Sequence, residues 1–247
     1  MQLDFIGTIK PKSFEPTQFE LWTNGRATKI KREPSFEKVE KFFNTSIDGN
    51  TVDSYKNYWQ SLAPKSDAEC FQKWLFAFLS VHSSWESNVR GYKALKDWTQ
   101  WFNRWEVLEA KLIESKIGLH NNRTKFIKEF SLDYWNNLSE FKKKQNENWP
   151  AFRDRLTKRV LGLGFAKISF ALEMIYPLEA QVACIDTHIY QAYGLNQSKD
   201  SSFGEKIEKH WVEMSKMWNC PAPLSRAIYW DKMQGKTDSS YWMNVFH

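Results

Sequence analysis

The stretch Val160-Leu161-Gly162-Leu163-Gly164-Phe165-Ala166-Lys167, followed by Ala183-Cys184-Ile185-Asp186-Thr187-His188-Ile189, decides how this chain is read. Two glycines one residue apart, between segments of helical pattern, describe a tight hairpin joining two helices. Glycine adds no side chain and tolerates φ > 0, so such a hairpin points bare backbone N–H groups outward, where a phosphate can receive them. The first turn of the next helix adds positive dipole character. A single carboxylate, Asp186, stands 22 positions after Gly164, at the start of a third helix. Each part alone is commonplace: glycine pairs occur in ordinary helix turns, and an aspartate before a helix usually caps free N–H groups, worth about 1 kcal/mol. The combination is more specific. It describes a sequence-independent grip on a sugar-phosphate backbone with an acid held beside it, and it predicts chemistry on a base drawn out of a DNA duplex.

Outward from the hairpin, helical periodicity dominates from about residue 67. Helices are predicted over 68–81, with Asp67 as a cap, and over 92–105, 107–114, 123–130, 151–160, 167–176, 189–193, 204–218 and 225–234. Gly118 and the Asn121-Asn122 pair mark a turn, and Pro177 stops the second hairpin helix. Residues 1–60 differ. They carry Pro11, Pro16, Pro34 and Gly25, with short alternating stretches at 19–22 and 27–30, and read as a peripheral extension with a small β-hairpin packing on a helical body of residues 61–247.

Several of these segments carry a family resemblance. Leu161-Gly162-Leu163-Gly164 followed by Ile185-Asp186-Thr187-His188-Ile189 resembles the helix-hairpin-helix (HhH-GPD) DNA glycosylases, the superfamily of endonuclease III, in which the hairpin reads Leu-Pro-Gly-Val-Gly and the acid sits in Val-Asp-Thr-His-Val. Phe78-Leu79-Ser80-Val81-His82 is similar to the family's Leu-Leu-Ser-Ala-Gln, and Gly118-Leu119-His120-Asn121-Asn122-Arg123-Thr124-Lys125 to its Gly-Leu-Tyr-Asn-x-Lys-Ala. The motifs fall in family order across roughly residues 70–235. The resemblance implies a mainly α, two-lobed fold with its hairpin unit at about 151–176, a duplex-DNA partner and a chain acting as a monomer.

It also implies roles. Asp186 would stabilise the oxocarbenium-like charge that builds on deoxyribose as an N-glycosidic bond breaks, and would orient or deprotonate the attacking water. Gly162 and Gly164 would offer amides to a phosphate, with Lys158, Arg159 and Lys167 adding charge, and hairpin carbonyls could hold a monovalent cation as in the family. Bifunctional members carry a nucleophilic lysine two residues after the second hairpin glycine. That position is Ala166 here, and Lys167 lies one step (~100° of helix) further round. A monofunctional, water-using enzyme is therefore expected, with Lys167 either a second catalytic group or a phosphate contact. His82 ends the helix where the family places a residue that fills the gap left by the everted base, and could also border the base. Trp85 is either a wall of the base pocket or core. The adenine-excising branch needs an acid before this point, and 74–80 contains none.

Composition agrees without deciding. The 247 residues are 42% hydrophobic, enough for a substantial core, and include 13 Trp, 9 Tyr and 18 Phe. A net charge of +6 suits a polyanionic partner, and Lys142-Lys143-Lys144 with Arg153 and Arg155 would extend a basic zone. Cys70, Cys184 and Cys220 have no metal spacing, so the iron–sulfur cluster of many relatives is not expected, and neither is a zinc site, His188 being alone. Unpaired cysteines fit an intracellular setting. No apolar run approaches membrane-spanning length, and Met1-Gln2-Leu3-Asp4-Phe5 lacks the pattern of a secretion signal. Two other functions stay open: a glycosylase-fold amino acid:DNA transferase of viral type, modifying a base derived from a 5-hydroxymethyl pyrimidine, and a non-catalytic DNA-binding module. Gln234-Gly235-Lys236 is distinctive but suggests no chemistry.

Overall fold

The computed structural model describes residues 20–23, 26–29 and 33–246. Strands β1 (Glu20–Thr23) and β2 (Arg26–Lys29) pair antiparallel, Glu20 opposite Lys29 and Thr23 opposite Arg26, within the region where a small hairpin is expected. Pro11 and Pro16 lie outside the described residues. Among the described residues twelve α-helices follow: α1 (Glu37–Ser46), α2 (Gly49–Leu62), α3 (Asp67–Leu79), α4 (Trp85–Leu95), α5 (Trp105–Glu114), α6 (His120–Asn136), α7 (Trp149–Arg159), α8 (Phe165–Ile175), α9 (Thr187–Ala192), α10 (Gly204–Met217), α11 (Ala222–Met233) and α12 (Met243–Phe246).

Two groups of helices share one core. In the first, α3 and α6 interlock aromatic side chains, Phe71 stacking on Phe130 with centroids 5.7 Å apart and Trp74 tilted over the same ring at 5.5 Å. In the second, Phe42 and Phe43 of α1 pack on Trp211 of α10 and Tyr229 of α11. Helices α3 and α8 lie against each other between the groups, each apolar around most of its circumference, as a helix surrounded by others must be. Asp231 of α11 fastens two distant segments by accepting hydrogen bonds from Tyr55 of α2 (2.9 Å) and Tyr241 before α12 (2.7 Å).

Three expectations are corrected. Residues 37–62 are not peripheral: Val39, Phe43, Val52 and Trp59 are buried in the common core, so α1 and α2 belong to the body. The predicted helix over 92–105 is interrupted between α4 and α5. Trp98 begins a short 3₁₀ turn there and Asn103 adopts a φ of 63°, while Trp101 is drawn fully into the core. Asp67 opens α3 but Ser66 caps it, accepting from Glu69 N at 3.2 Å.

The position of Lys73 on this buried helix has a measurable consequence. Lys73 is 5% exposed, its ammonium 3.2 Å from the centre of the Phe246 ring, and desolvation lowers its pKa from 10.5 to about 7. The unfolded chain holds that proton up to the ordinary lysine value, so the group destabilises the fold fully below pH 7 and less and less as the pH rises toward 10.5. Lys73→Met is expected to raise the Tm by roughly 3–6 °C at pH 7, with a smaller gain at pH 10. Thermal melts at the two pH values check both the sign and the trend.

Candidate active site

The hairpin is built as its sequence requires. Asn148 caps α7 through Ala151 N at 2.8 Å with Pro150 in the first turn, and α7 ends at Arg159 with Val160 as its extended C-cap. Gly162 turns the chain with φ 87°, and a Cβ there would meet the Phe126 ring of α6 at 2.5 Å. Conformation and space both demand glycine. Gly164 then begins α8 without a side-chain cap, leaving the first amides of that helix open. Gly162→Ala is expected to cost about 2–4 kcal/mol, from the left-handed backbone and the overpacked ring together. A Tm drop of roughly 5–12 °C in calorimetry would register it.

Asp186 reaches its place along an extended segment held by two buried ion pairs. Glu208 accepts from Ala183 N at 3.0 Å and pairs with Arg153, whose guanidinium also lies over the Phe165 ring at 3.9 Å. Glu173 accepts from Cys184 N at 2.8 Å and pairs with Arg226 Nε at 2.5 Å. Consecutive amides of the segment are thus each fixed by a carboxylate with its own arginine. Burial pushes the Glu173 carboxyl up while Arg226 opposes the shift. Asp186 then caps α9: Oδ1 accepts from His188 N at 2.9 Å and Ile189 N at 3.1 Å. Oδ2 makes no hydrogen bond among the described residues.

Two cavities meet at this acid. The outer one, about 740 Å³, runs beneath the hairpin past His82, Gly164, Ala166 and Tyr190. The inner one, about 120 Å³, is an aromatic slot walled by Trp85, Phe170, Trp230 and Trp242, with Asn88 and Arg226 among its polar groups. Ser80, Ser83, Lys167 and Asp186 border both. A half-exposed carboxylate and an ammonium therefore stand where the outer groove meets an aromatic-lined slot suited to a flat ring.

The expected site residues separate accordingly. Lys167 turns to the cavities with Asp186, despite standing one step beyond Ala166, which borders only the outer cavity. Trp85 walls the slot, with its ring edge-on to Trp242 at 4.8 Å, and Lys236 lies 5.7 Å above it, so the unexplained Gln234-Gly235-Lys236 turn closes over this residue. His82 borders the outer cavity and not the slot. It adopts φ 50°, uncommon outside glycine, as does Leu119. Arg123 joins their two turns, donating to Val81 O at 2.5 Å, Ser83 Oγ at 2.7 Å and Gly118 O, so the motifs around His82 and Gly118 form one unit.

The basic zone is smaller than its sequence suggests. Lys158 is exposed, and Arg159, partly exposed, is held by Asp133 through both Nε (2.6 Å) and Nη2 (2.5 Å). Arg153 is buried in its ion pair and Arg155 is bound by Glu147. Lys142 and Lys144 pair with Asp67 and Glu140. His188 packs edge-on against Trp230 at 5.0 Å. Sequence reading missed Asn88, Glu173, Arg226, Trp230 and Trp242. Only the length of the helix over 225–234 offered a signal for two of them.

A hairpin with open amides, an acid beneath it and an aromatic slot beyond define an HhH-type DNA glycosylase, an enzyme that acts on N-glycosyl bonds of damaged bases in DNA. A family model described as 8-oxoguanine DNA glycosylase matches residues 50–217, and the chain belongs to that family. Among solved structures, the 8-oxoguanine DNA glycosylase of Thermotoga maritima is similar with TM-score 0.66 and 16% identity over 83% of this chain and 100% of that one. The 8-oxoguanine DNA glycosylase of Methanocaldococcus jannaschii is similar with TM-score 0.63 and 21% identity over 83% and 95%. An 8-oxoguanine glycosylase/lyase of the same organism, in complex with a 15mer DNA containing 8-oxoguanine, gives TM-score 0.62 and 21% identity over 83% and 99%. No curated protein matches at a significant level. Among the described residues no helix is long and apolar enough to cross a membrane.

Proposed function

We propose that this chain excises 8-oxoguanine from DNA as a monofunctional glycosylase, with Asp186 as the catalytic carboxylate. The observation that carries this reading is the position of Asp186 at the junction of groove and slot, with Oδ1 spent on the α9 cap and Oδ2 unbonded among the described residues. With the everted base in the slot, its deoxyribose lies at that junction. Oδ2 stabilises the positive charge growing on the sugar and takes the proton of the water that attacks C1′, while the bond to the base breaks. Lys167, on both cavity walls, supplies positive charge beside the departing base. Gly162, Gly164, Lys158 and His82 would hold the strand from outside. The carbonyls of Leu161, Gly162 and Leu163 accept no hydrogen bond among the described residues, which suits a monovalent cation. Bound there, it would add charge toward a phosphate.

A second reading keeps the substrate and makes Lys167 a Schiff-base nucleophile. Its placement on both cavities favours it, as does the similarity to a protein named as a glycosylase/lyase. Against it stands Ala166 at the position where the family resemblance puts the nucleophile. Borohydride reduction during turnover separates the two. The hydrolytic reading predicts no covalent protein–DNA complex on a denaturing gel and strand breaks only after alkali. A trapped complex that disappears in Lys167→Ala would replace it with the lyase.

A further inference from the structure

Lys73 is linked to the slot through two rings. Trp242, one wall of the slot, stacks on Phe246 with centroids 5.6 Å apart and planes at 15°, and Phe246 covers the Lys73 ammonium, 3.2 Å from its ring centre. No hydrogen bond or ion pair reaches that ammonium among the described residues. Glu69 and Cys70 act on it from its own helix, but Glu69 accepts from Lys65 N at 2.7 Å and burial keeps the Cys70 thiol neutral. Lys65 lines a cavity of about 370 Å³ together with Lys73 and Phe246. Tyr92 of α4 packs edge-on to the Phe246 ring at 5.4 Å, and α12 itself carries no titratable side chain. His247 lies outside the described residues.

The segment that brings Phe246 here is held differently at its two ends. Its start is pinned by hydrogen bonds, Ser239 and Tyr241 donating to Asp231 and Tyr58 donating to Ser240 O at 3.1 Å. Its end lies over Lys73 through the packing of Val245 and Phe246. A buried ammonium without a carboxylate favours any arrangement that lets water reach it. Helix α3 cannot yield, because Trp74 and Leu75 beside Lys73 are buried in the core, so the cover that can yield is the half-buried Phe246.

We propose that Lys73 is a positioning residue for the everted base: its proton decides whether Phe246 stays down, and Phe246 decides whether Trp242 stands firm in the slot wall. This rests on the reading of the slot as the place of the base. Without its proton, Lys73 accepts the ring above it, and Trp242 keeps its stacked partner. With the proton, hydration of the ammonium lifts the end of α12, and Trp242 loses its backing. Covered, the group has a pKa of about 7 against 10.5 in water, so the lifted form binds the proton about 10³-fold more tightly. The closed form therefore loses ground by up to about tenfold per pH unit as the pH falls from 10.5 toward 7, and no further below it.

Hydrogen exchange of the 239–246 segment, followed by mass spectrometry and corrected for the intrinsic rate, reads the cover directly. Protection in the wild-type protein should fall at least about tenfold from pH 9 to pH 7, and in Lys73→Met it should be the same at both. The slot is read by the ratio of affinities for two duplexes, one with 2′-fluoro-8-oxoguanosine, in which the fluorine stalls excision, and one with a tetrahydrofuran abasic site, which leaves the slot empty. That ratio should fall at least about threefold over the same interval in the wild type and stay level in Lys73→Met. Equal wild-type protection at the two pH values would overturn the proposal, as would a fall that persists in Lys73→Met. The wild-type comparison needs no variant, and the exchange measurement needs no DNA. A wild-type ratio near one at both pH values would remove the reading of the slot and this role together, whereas a ratio well above one that ignores pH removes only this role.

Discussion

Asp186→Asn is expected to lower single-turnover base excision by about 10²–10³-fold, the usual cost of removing one preorganised charge from a reaction centre. DNA affinity and Tm should stay near their wild-type values. The separation is possible because the residue has two tasks on two oxygens. Oδ1 caps α9 through His188 N and Ile189 N, and asparagine caps as well as aspartate does. The charge and the proton-accepting capacity are lost, and only the reaction needs them. Asp186→Ala would confuse the two by removing the cap as well, worth about 1 kcal/mol. Rates from quenched-flow sampling of a duplex containing 8-oxoguanine, beside binding isotherms for the same duplex, provide both halves of the test. Wild-type turnover by Asp186→Asn would exclude the acid from the reaction.

The second large effect falls on stability. Glu173→Ala leaves Arg226 buried without its partner and Cys184 N without its acceptor, at a cost of about 3–5 kcal/mol. For a domain of this size the Tm should fall by roughly 6–20 °C. Glu173→Leu combined with Arg226→Met removes both charges at similar volume and should recover much of that loss, though not all, because Cys184 N stays unpaired. Excision should recover less than stability does. Arg226 walls the slot, and the Cys184 amide anchors the segment that carries Asp186 two residues later. Chemical denaturation of the two single variants and the pair, analysed as a double-mutant cycle, gives the coupling. Additive losses would show that the ion pair does not hold this segment as a unit.

Much of the site could be read from the sequence because its geometry is local. The Gly162–Gly164 spacing fixes a turn, Asp186 fixes a helix start, and the motif around His82 ends a helix, each within a few residues. Helix periodicity served wherever a helix had one apolar face. It failed in two ways. The breaks between 95 and 105 were hidden because Trp98 and Trp101 continue the apolar rhythm while the backbone leaves the helix. Helices α1 and α2 were obscured by the neighbouring prolines, although Val39, Phe42 and Phe43, then Val52, Tyr55 and Trp59, keep helical spacing. The charged groups around the site follow another rule. Glu173 meets Arg226 across 53 positions and Arg159 meets Asp133 across 26, so which arginines face DNA and which are held inside depends on tertiary packing. Lys73 is the extreme case: its significance is a missing carboxylate, which only a packed structure can reveal.

The most direct test of the account is the mass of the products formed from a duplex with a single 8-oxoguanine. Hydrolysis of the N-glycosidic bond beside Asp186 predicts free 8-oxoguanine and a strand lighter by the mass of that base less one water, intact until alkali cleaves it at the abasic site. A strand that keeps its glycosidic bond, whether unchanged or heavier by an added group, would contradict it.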